Sequence, residues 1–313
     1  MNMESAMGAN VNEKGGETMA RVVVAGGSGK LGRACVADLV AHDWDVVVFD
    51  RIRPSGLADD VTAAITYLPI DLTDYGQVLD AMLGVEERYD RVDALVHLAA
   101  IPAPGLVADH ETFANNMNSS FNMVSAARRA GITNIVWASS ETVLGLPFDT
   151  PPPYLPVDEE YDPRPESTYS LTKTLEETMA RHLCRWDPEL KMIGLRFSNV
   201  MEPQDYEEFP SFDADPRARK WNLWGYIDAR DGAQAVRKAL EYEAPGADVF
   251  IIANADTVMS RSNASLVAEV FPSVETRLDL GEHDTLLSIA NARRLLGYEP
   301  QHSWRYELAG RGG

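Results

Sequence analysis

The sequence predicts an α/β fold: a doubly wound parallel sheet followed by a smaller C-terminal lobe. Short β-branched runs such as RVVVA (21–25) and DVVVF (45–49) read as strands buried on both faces. They alternate with helix-length segments, the pattern of right-handed βαβ units. A glycine-rich turn, AGGSGKLG (25–32), joins the first strand to the first helix. With 313 residues, 45% of them hydrophobic, the chain can bury a core of that size.

Residues 1–20 are polar, carry Glu4, Glu13, Lys14 and Glu17, and read as a disordered extension. They hold no hydrophobic signal segment, so the cytoplasm is the expected location. No apolar run reaches the roughly 18 residues of a membrane helix. After the strand at 21–25 come a helix (30–42), a strand (45–49), a strand (65–70), a helix (75–84) and a strand (94–99). A helix over 111–130 leads to a fifth strand at 134–138. Seven prolines between 146 and 165 forbid helix or central strand there, so that stretch reads as a stiff loop, a candidate wall for a pocket. A helix follows over 168–185, then strands at 195–200 and 248–253 and short helices near 262–270 and 288–296.

The net charge is −20, which repels phosphate backbones and argues against nucleic acid as a partner. Cys35 and Cys184 form no CxxC pair and read as free thiols. Six scattered histidines show no metal-ligand spacing, and Glu282-His283-Asp284 reads as a solvated turn, so no metal is expected.

Gly26, Gly29 and Gly32 give GxxGxxG, and Gly27, Gly29 and Gly32 also satisfy GxGxxG. Placed between a strand and a helix, such a turn brings backbone N–H groups and the helix dipole to a pyrophosphate, as in a Rossmann-type nucleotide site. Lys30 is followed by Leu31, which excludes a Walker loop. Asp50 ends the second strand, 18 residues after Gly32, close to the spacing of an acid that holds an adenosine ribose. It favours NAD over NADP; Arg51 and Arg53 are the competing signal for a 2′-phosphate. Asp71-Leu72 sits where an adenine edge could be read, although Asp71, Thr73 and Asp74 also compete for a helix N-cap.

Tyr169 and Lys173 lie four apart at the start of a helix, which any surface pair could do. Context decides. The ordered set GGSGKLG, Asp50, DLTD, HLAA, NMNSSFN, ASSETVLG, YSLTK and RFSNV, from Val22 to about Arg230, resembles the extended short-chain dehydrogenase/reductase superfamily, in its NAD-dependent epimerase/dehydratase branch. The resemblance implies a cofactor-binding domain over 21–195 and a mainly substrate-binding lobe over 196–313, with some strands returning to the sheet. It implies Tyr169 as general base or acid, with Lys173 lowering its pKa and holding the nicotinamide ribose, and Ser140 donating to the reacting oxygen. Asn116 matches a site-shaping Asn of the fourth helix; packing is the other reading. The cofactor set it implies is Gly26, Ser28, Gly29, Lys30, Leu31, Gly32, Asp50, Arg51, Asp71, Leu72, Leu98, Ala99, Ala100 and Phe197, with Tyr169 and Lys173.

Departures narrow the reaction. The dehydratases carry Asp-Glu after the Ser/Thr, whereas Glu141 and Thr142 stand here. Leu144 replaces the usual Tyr before the next glycine. The segment 200–225 is short for gripping a nucleotide and is aromatic, with Phe212, Trp221 and Trp224. A small sugar, sugar acid or polyol fits better, an arrangement similar to uronate dehydrogenases. Ser140, Glu141, Thr142, Asn199 and Arg219 are the expected substrate contacts. Arg217, Arg219 and Arg230 are candidates for a substrate carboxylate, each with a surface salt bridge as the competing reading. The expected function is an NAD-dependent dehydrogenase; the alternatives are a cofactor-retaining sugar or nucleotide-sugar epimerase and a non-catalytic NAD sensor. The resemblance also implies a homodimer through the helices at 111–130 and 168–185, with Leu171, Leu175 and Met179 spaced for one face.

Overall fold

Successive residues of a strand face opposite sides of its sheet, so a run of valines must be covered on both. The computed structural model describes residues 19–84, 89, 91–277 and 280–311, and its runs meet that demand in one seven-stranded sheet. Of the extension expected over 1–20, residues 1–18 lie outside the described residues. In chain order the strands are β1 (Arg21–Ala25), β2 (Asp45–Asp50), β3 (Thr66–Pro69), β4 (Ala94–His97), β5 (Asn134–Ser140), β6 (Tyr154–Leu155), β7 (Lys191–Phe197), β8 (Val200–Met201), β9 (Ile227–Asp228), β10 (Gly246–Ile252) and β11 (Glu275–Thr276). The helices are α1 (Lys30–Ala41), α2 (Asp59–Ala64), α3 (Tyr75–Met82), α4 (Asp109–Arg129), α5 (Thr168–Trp186), α6 (Ala229–Glu241), α7 (Asn263–Val270) and α8 (Trp304–Arg311).

The sheet runs β10-β7-β5-β4-β1-β2-β3, parallel throughout. Val22, Val24, Val46, Val48 and Val96 share one core with Cys35, Val36 and Leu39 of α1 and Ala233, Val236 and Leu240 of α6. Val23, Val47, Phe49, Leu95 and Ile135 share the other with residues of α3, α4 and α5. The chain winds outward from β1 to β3, then resumes at β4 and winds the opposite way. The crevice between the carboxyl ends of β1 and β4 is therefore the switch point where such sheets bind ligands.

The C-terminal third departs most from expectation. The strand expected at 195–200 begins at Lys191 and ends at Phe197. Gly194 interrupts its apolar run because a Cβ there would meet the Trp137 ring at 2.6 Å. Helix α6 has no counterpart in the sequence reading, although its apolar residues, Ala229, Ala233, Ala235, Val236, Ala239 and Leu240, are buried along one face. Lys191 looks misplaced in a strand, but its Nζ donates to the carbonyls of Ala239, Leu240 and Tyr242 and so satisfies the C-terminal end of α6. With β10 and α6 in place, much of the expected lobe is part of the sheet layers. The proline-rich loop contains β6, which pairs with β11. The helix expected at 288–296 is found over residues 290–296, with π geometry at Ala292–Leu296.

Candidate active site

A cleft of about 1010 Å³ opens at the switch point. At one end lies the glycine turn. Gly26 has φ +86°, and a Cβ there would meet the Ala99 backbone nitrogen at 2.6 Å. A Cβ on Gly32 would meet the Gly26 carbonyl at 2.1 Å, so the turn can close only on glycine. Gly29 is the N-cap of α1 and has no side chain to satisfy the first N–H groups of the helix. A bare helix N-terminus on a cleft suits a pyrophosphate, so the turn fits a dinucleotide.

Asp50 lines the cleft and accepts from Ser28 N at 3.0 Å and Ile52 N at 3.3 Å, so it braces the turn as well as facing any ligand. Both arginines beside it are engaged. Arg53 stacks 5.0 Å from the Tyr67 ring centroid, and Arg51 reaches Asn115 at 3.2 Å and Asp71 at 3.7 Å. Asp71 itself does not line the cleft: its carboxylate accepts from Thr73 N and Oγ1, bonds that lower its pKa. The N-cap of α3 is Asp74, which accepts from Gly76 N and Gln77 N. Leu72 does line the cleft, beside Ile70 and Ile52, two apolar neighbours absent from the sequence reading.

At the other end, Ser140 finishes β5 and Tyr169 and Lys173 open α5, whose start Ser167 fixes with a capping box. All three line the cleft, with Leu98, Ala99, Ala100 and Phe197 between them and the glycine turn. Lys173 Nζ donates to the Ala138 carbonyl at 2.8 Å and to Glu176 at 2.9 Å, and lies 5.9 Å from the Tyr169 ring centroid. Burial raises the Tyr169 pKa; Lys173 and a hydrogen bond with Ser140 pull against that rise. Glu176 and other neighbours outweigh burial at Lys173, so its pKa rises and it stays an ammonium.

Asn116 does not line the cleft. Its side chain accepts from Ile101 N at 2.8 Å and donates to Ile101 O at 3.1 Å, which shapes the loop after β4. Ser28 also stands back; its Oγ donates to the Ile52 carbonyl. Arg219 does not line the cleft either but stands behind it: it stacks 4.8 Å from the Trp221 centroid, donates to the Gly225 carbonyl and acts electrostatically on Glu141. Arg217 reaches the Glu269 carbonyl, and Arg230 is held by Asp228 and Glu307. Arg230 thus follows the competing salt-bridge reading, Arg217 bonds a backbone carbonyl, and Arg219 leaves its Nε without a hydrogen-bond partner.

Glu141, Thr142 and Asn199, the expected substrate contacts, also line the cleft, joined by Leu146, Pro147, Glu166, Ser198 and Trp221. Leu146 and Pro147 belong to the stiff loop. Burial pushes the Glu141 carboxyl up to about 7, against hydrogen bonds from Ser198 at 2.5 Å and Asn222 at 3.3 Å and the charge of Arg219. Trp221 was legible only as an aromatic residue of a short segment.

A family model described as the NAD dependent epimerase/dehydratase family matches residues 22–253. The chain belongs to that family. It is 30% identical over 219 residues to UDP-glucose 4-epimerase 2 of Oryza sativa subsp. japonica, across 66% of this chain and 50% of that protein. It is 27% identical over 253 residues to the L-arabinose 1-dehydrogenase (NAD(P)(+)) of Haloferax volcanii, across 77% of this chain and 92% of that protein. The chain spans about 50–60% of the length of the first curated relatives it matches. Among solved structures, a short-chain dehydrogenase/reductase superfamily protein from Agrobacterium tumefaciens with bound NAD is 25% identical, with TM-score 0.68 over 93% of this chain and 95% of that one. A UDP-galactose 4-epimerase is 26% identical, with TM-score 0.65 over 92% and 96%. No helix among the described residues is long and apolar enough to cross a membrane.

Proposed function

We propose that the protein is an NAD-dependent dehydrogenase acting on a secondary alcohol of a small, uncharged sugar or polyol. The observation that carries this is the charge of the cleft. Its only cationic lining residues among those described are Lys30, Arg51 and Lys173. Lys30 pairs with Asp205 at 2.5 Å, Arg51 lies at the Asp50 end, and Lys173 is paired with Glu176. The end opposite the glycine turn offers Glu141, Glu166 and one lining cation, Lys173, which Glu176 neutralises, so a pyrophosphate or a sugar carboxylate finds no free lining cation there. A cofactor-retaining epimerase is the second reading, favoured by the number of epimerases among the relatives.

The glycine turn and the α1 N-terminus would hold the pyrophosphate, Asp50 the adenosine ribose, and Lys173 the nicotinamide ribose. Bound NAD supplies the hydride acceptor. Ser140 donates to the substrate hydroxyl oxygen and orients it; Tyr169 takes the hydroxyl proton; Lys173 stabilises the phenolate. Glu141 accepts from a neighbouring substrate hydroxyl. A screen of neutral sugars, sugar acids and polyols with NAD and NADP, read by reduced-nicotinamide absorbance, tests this. Turnover of a neutral sugar or polyol is expected; turnover confined to sugar acids or nucleotide sugars contradicts it. Asp50→Ser should weaken NAD and relatively favour NADP by removing the charge that repels a 2′-phosphate. A wild type that already prefers NADP would overturn that assignment.

The protein is further proposed to pair with a second copy through α4 and α5. Phe113 and Phe121 on α4 and Leu171 on α5 are large apolar side chains left exposed on those helices. Leu175 and Met179 continue the α5 stripe but are half-buried. Sedimentation at micromolar concentration should give a dimer mass; a monomer contradicts it.

A further inference from the structure

Lys173 has a partner that none of the recognised motifs contains. Glu176, one helical turn on and 1% exposed, holds its Nζ through Oε2, while Oε1 accepts from the Ser120 hydroxyl at 2.7 Å. A hydroxyl carries one proton, so Ser120 must accept in its other bond, from His97 Nε2 at 3.1 Å. His97 is therefore the Nε2–H tautomer, and its Nδ1 has no hydrogen-bond partner. Burial, and then the Lys173 charge, push its pKa down to about 3, which keeps the ring neutral. The chain from His97 through Ser120 to Glu176 and Lys173 ties β4 and α4 to the start of α5, and the Ala138 carbonyl adds β5. None of His97, Ser120 and Glu176 lines the cleft.

The electrostatics give this chain a consequence at the phenol. Lys173 faces Tyr169 from α5 itself, and Glu141 from the turn after β5. Glu177, also on α5, is neutralised by Arg196 of β7. His97 on β4 is uncharged, and α4 presents Asn116, Ser119 and Ser120 as buried polar groups. Glu176 is then the charge that most directly opposes the ammonium in a region of low dielectric.

We propose that Glu176 is a positioning residue: it fixes the Lys173 ammonium beside Tyr169, offsets part of its charge, and so sets the pH range in which Tyr169 accepts a proton. This rests on the reading of Tyr169 as the general base. The test is a titration of tyrosinate absorbance, taken as the difference between each variant and the same variant carrying Tyr169→Phe, and it needs no substrate. In Glu176→Gln the Tyr169 transition should move about one unit toward lower pH, and the turnover–pH limb should move with it. In Ser120→Ala the carboxylate loses a donor, its charge acts more strongly, and the transition should move toward higher pH. Ser120→Ala also keeps the test decisive if Glu176→Gln fails to fold. Loss of thermal stability with the transition unmoved in either folded variant overturns the proposal. Should Tyr169→Phe alone retain full turnover, the base assignment itself fails, whatever the titration shows.

Discussion

Replacing Tyr169 with Phe should slow turnover by roughly 10²–10⁴-fold, the usual contribution of a general acid–base group. The substitution removes one oxygen from a residue that is 7% exposed and changes no apolar contact, so the fold should survive. The lost hydroxyl is hydrogen-bonded with Ser140, which keeps Thr142 as a donor through its backbone N at 3.2 Å and its Oγ1 at 3.0 Å. Cofactor affinity should stay near wild type, because the glycine turn and Asp50 lie at the other end of the cleft and Lys173 keeps Ala138 and Glu176. Steady-state kinetics together with NAD titration separate the two effects. A variant within a few-fold of wild type removes Tyr169 from the reaction.

Glu177→Ala should cost about 3–5 kcal/mol of stability, the scale for breaking one side of a buried ion pair. Glu177 takes Arg196 Nε and Nη2 at 2.9 Å each and the Ser139 hydroxyl at 2.6 Å. The two side chains of the pair are 4% and 3% exposed, so truncation strands a guanidinium in the core. It also frees Ser139, the residue before Ser140, so activity should fall in the fraction that still folds. Denaturant unfolding measures it, with the midpoint shifting and the slope unchanged. Glu177→Gln keeps an acceptor and should lose less. A loss below about 1 kcal/mol in Glu177→Ala would mean that water or another acidic group reaches Arg196, contrary to its burial.

The parallel sheet was legible because its strands are buried on both faces and announce themselves as unbroken β-branched runs. The glycine turn was legible because its spacing is dictated by backbone contacts: the Gly26–Ala99 and Gly32–Gly26 approaches leave no room for a Cβ. Helix α6 was passed over even though its charged and apolar residues fall on opposite faces, whereas Lys191 was hidden because a charge inside a strand conceals its role as a helix cap. Partner choice was the least legible. Nothing in the spacing of Arg217, Arg219 or Arg230 indicates that each finds a partner outside the cleft. Glu176 likewise carries no signal in sequence, because its significance lies in contacts with residues 56 and 79 positions earlier, through Ser120 and then His97.

The central claim is that this cleft exchanges its cofactor and leaves an oxidised neutral sugar or polyol as product. The most direct measurement is the stoichiometry of NADH to product, with purified protein, added NAD and a substrate found in the screen. One NADH per product, with turnover that requires added NAD, is the predicted result. Interconversion of the substrate with its epimer by protein carrying its own NAD, with no net NADH, contradicts it.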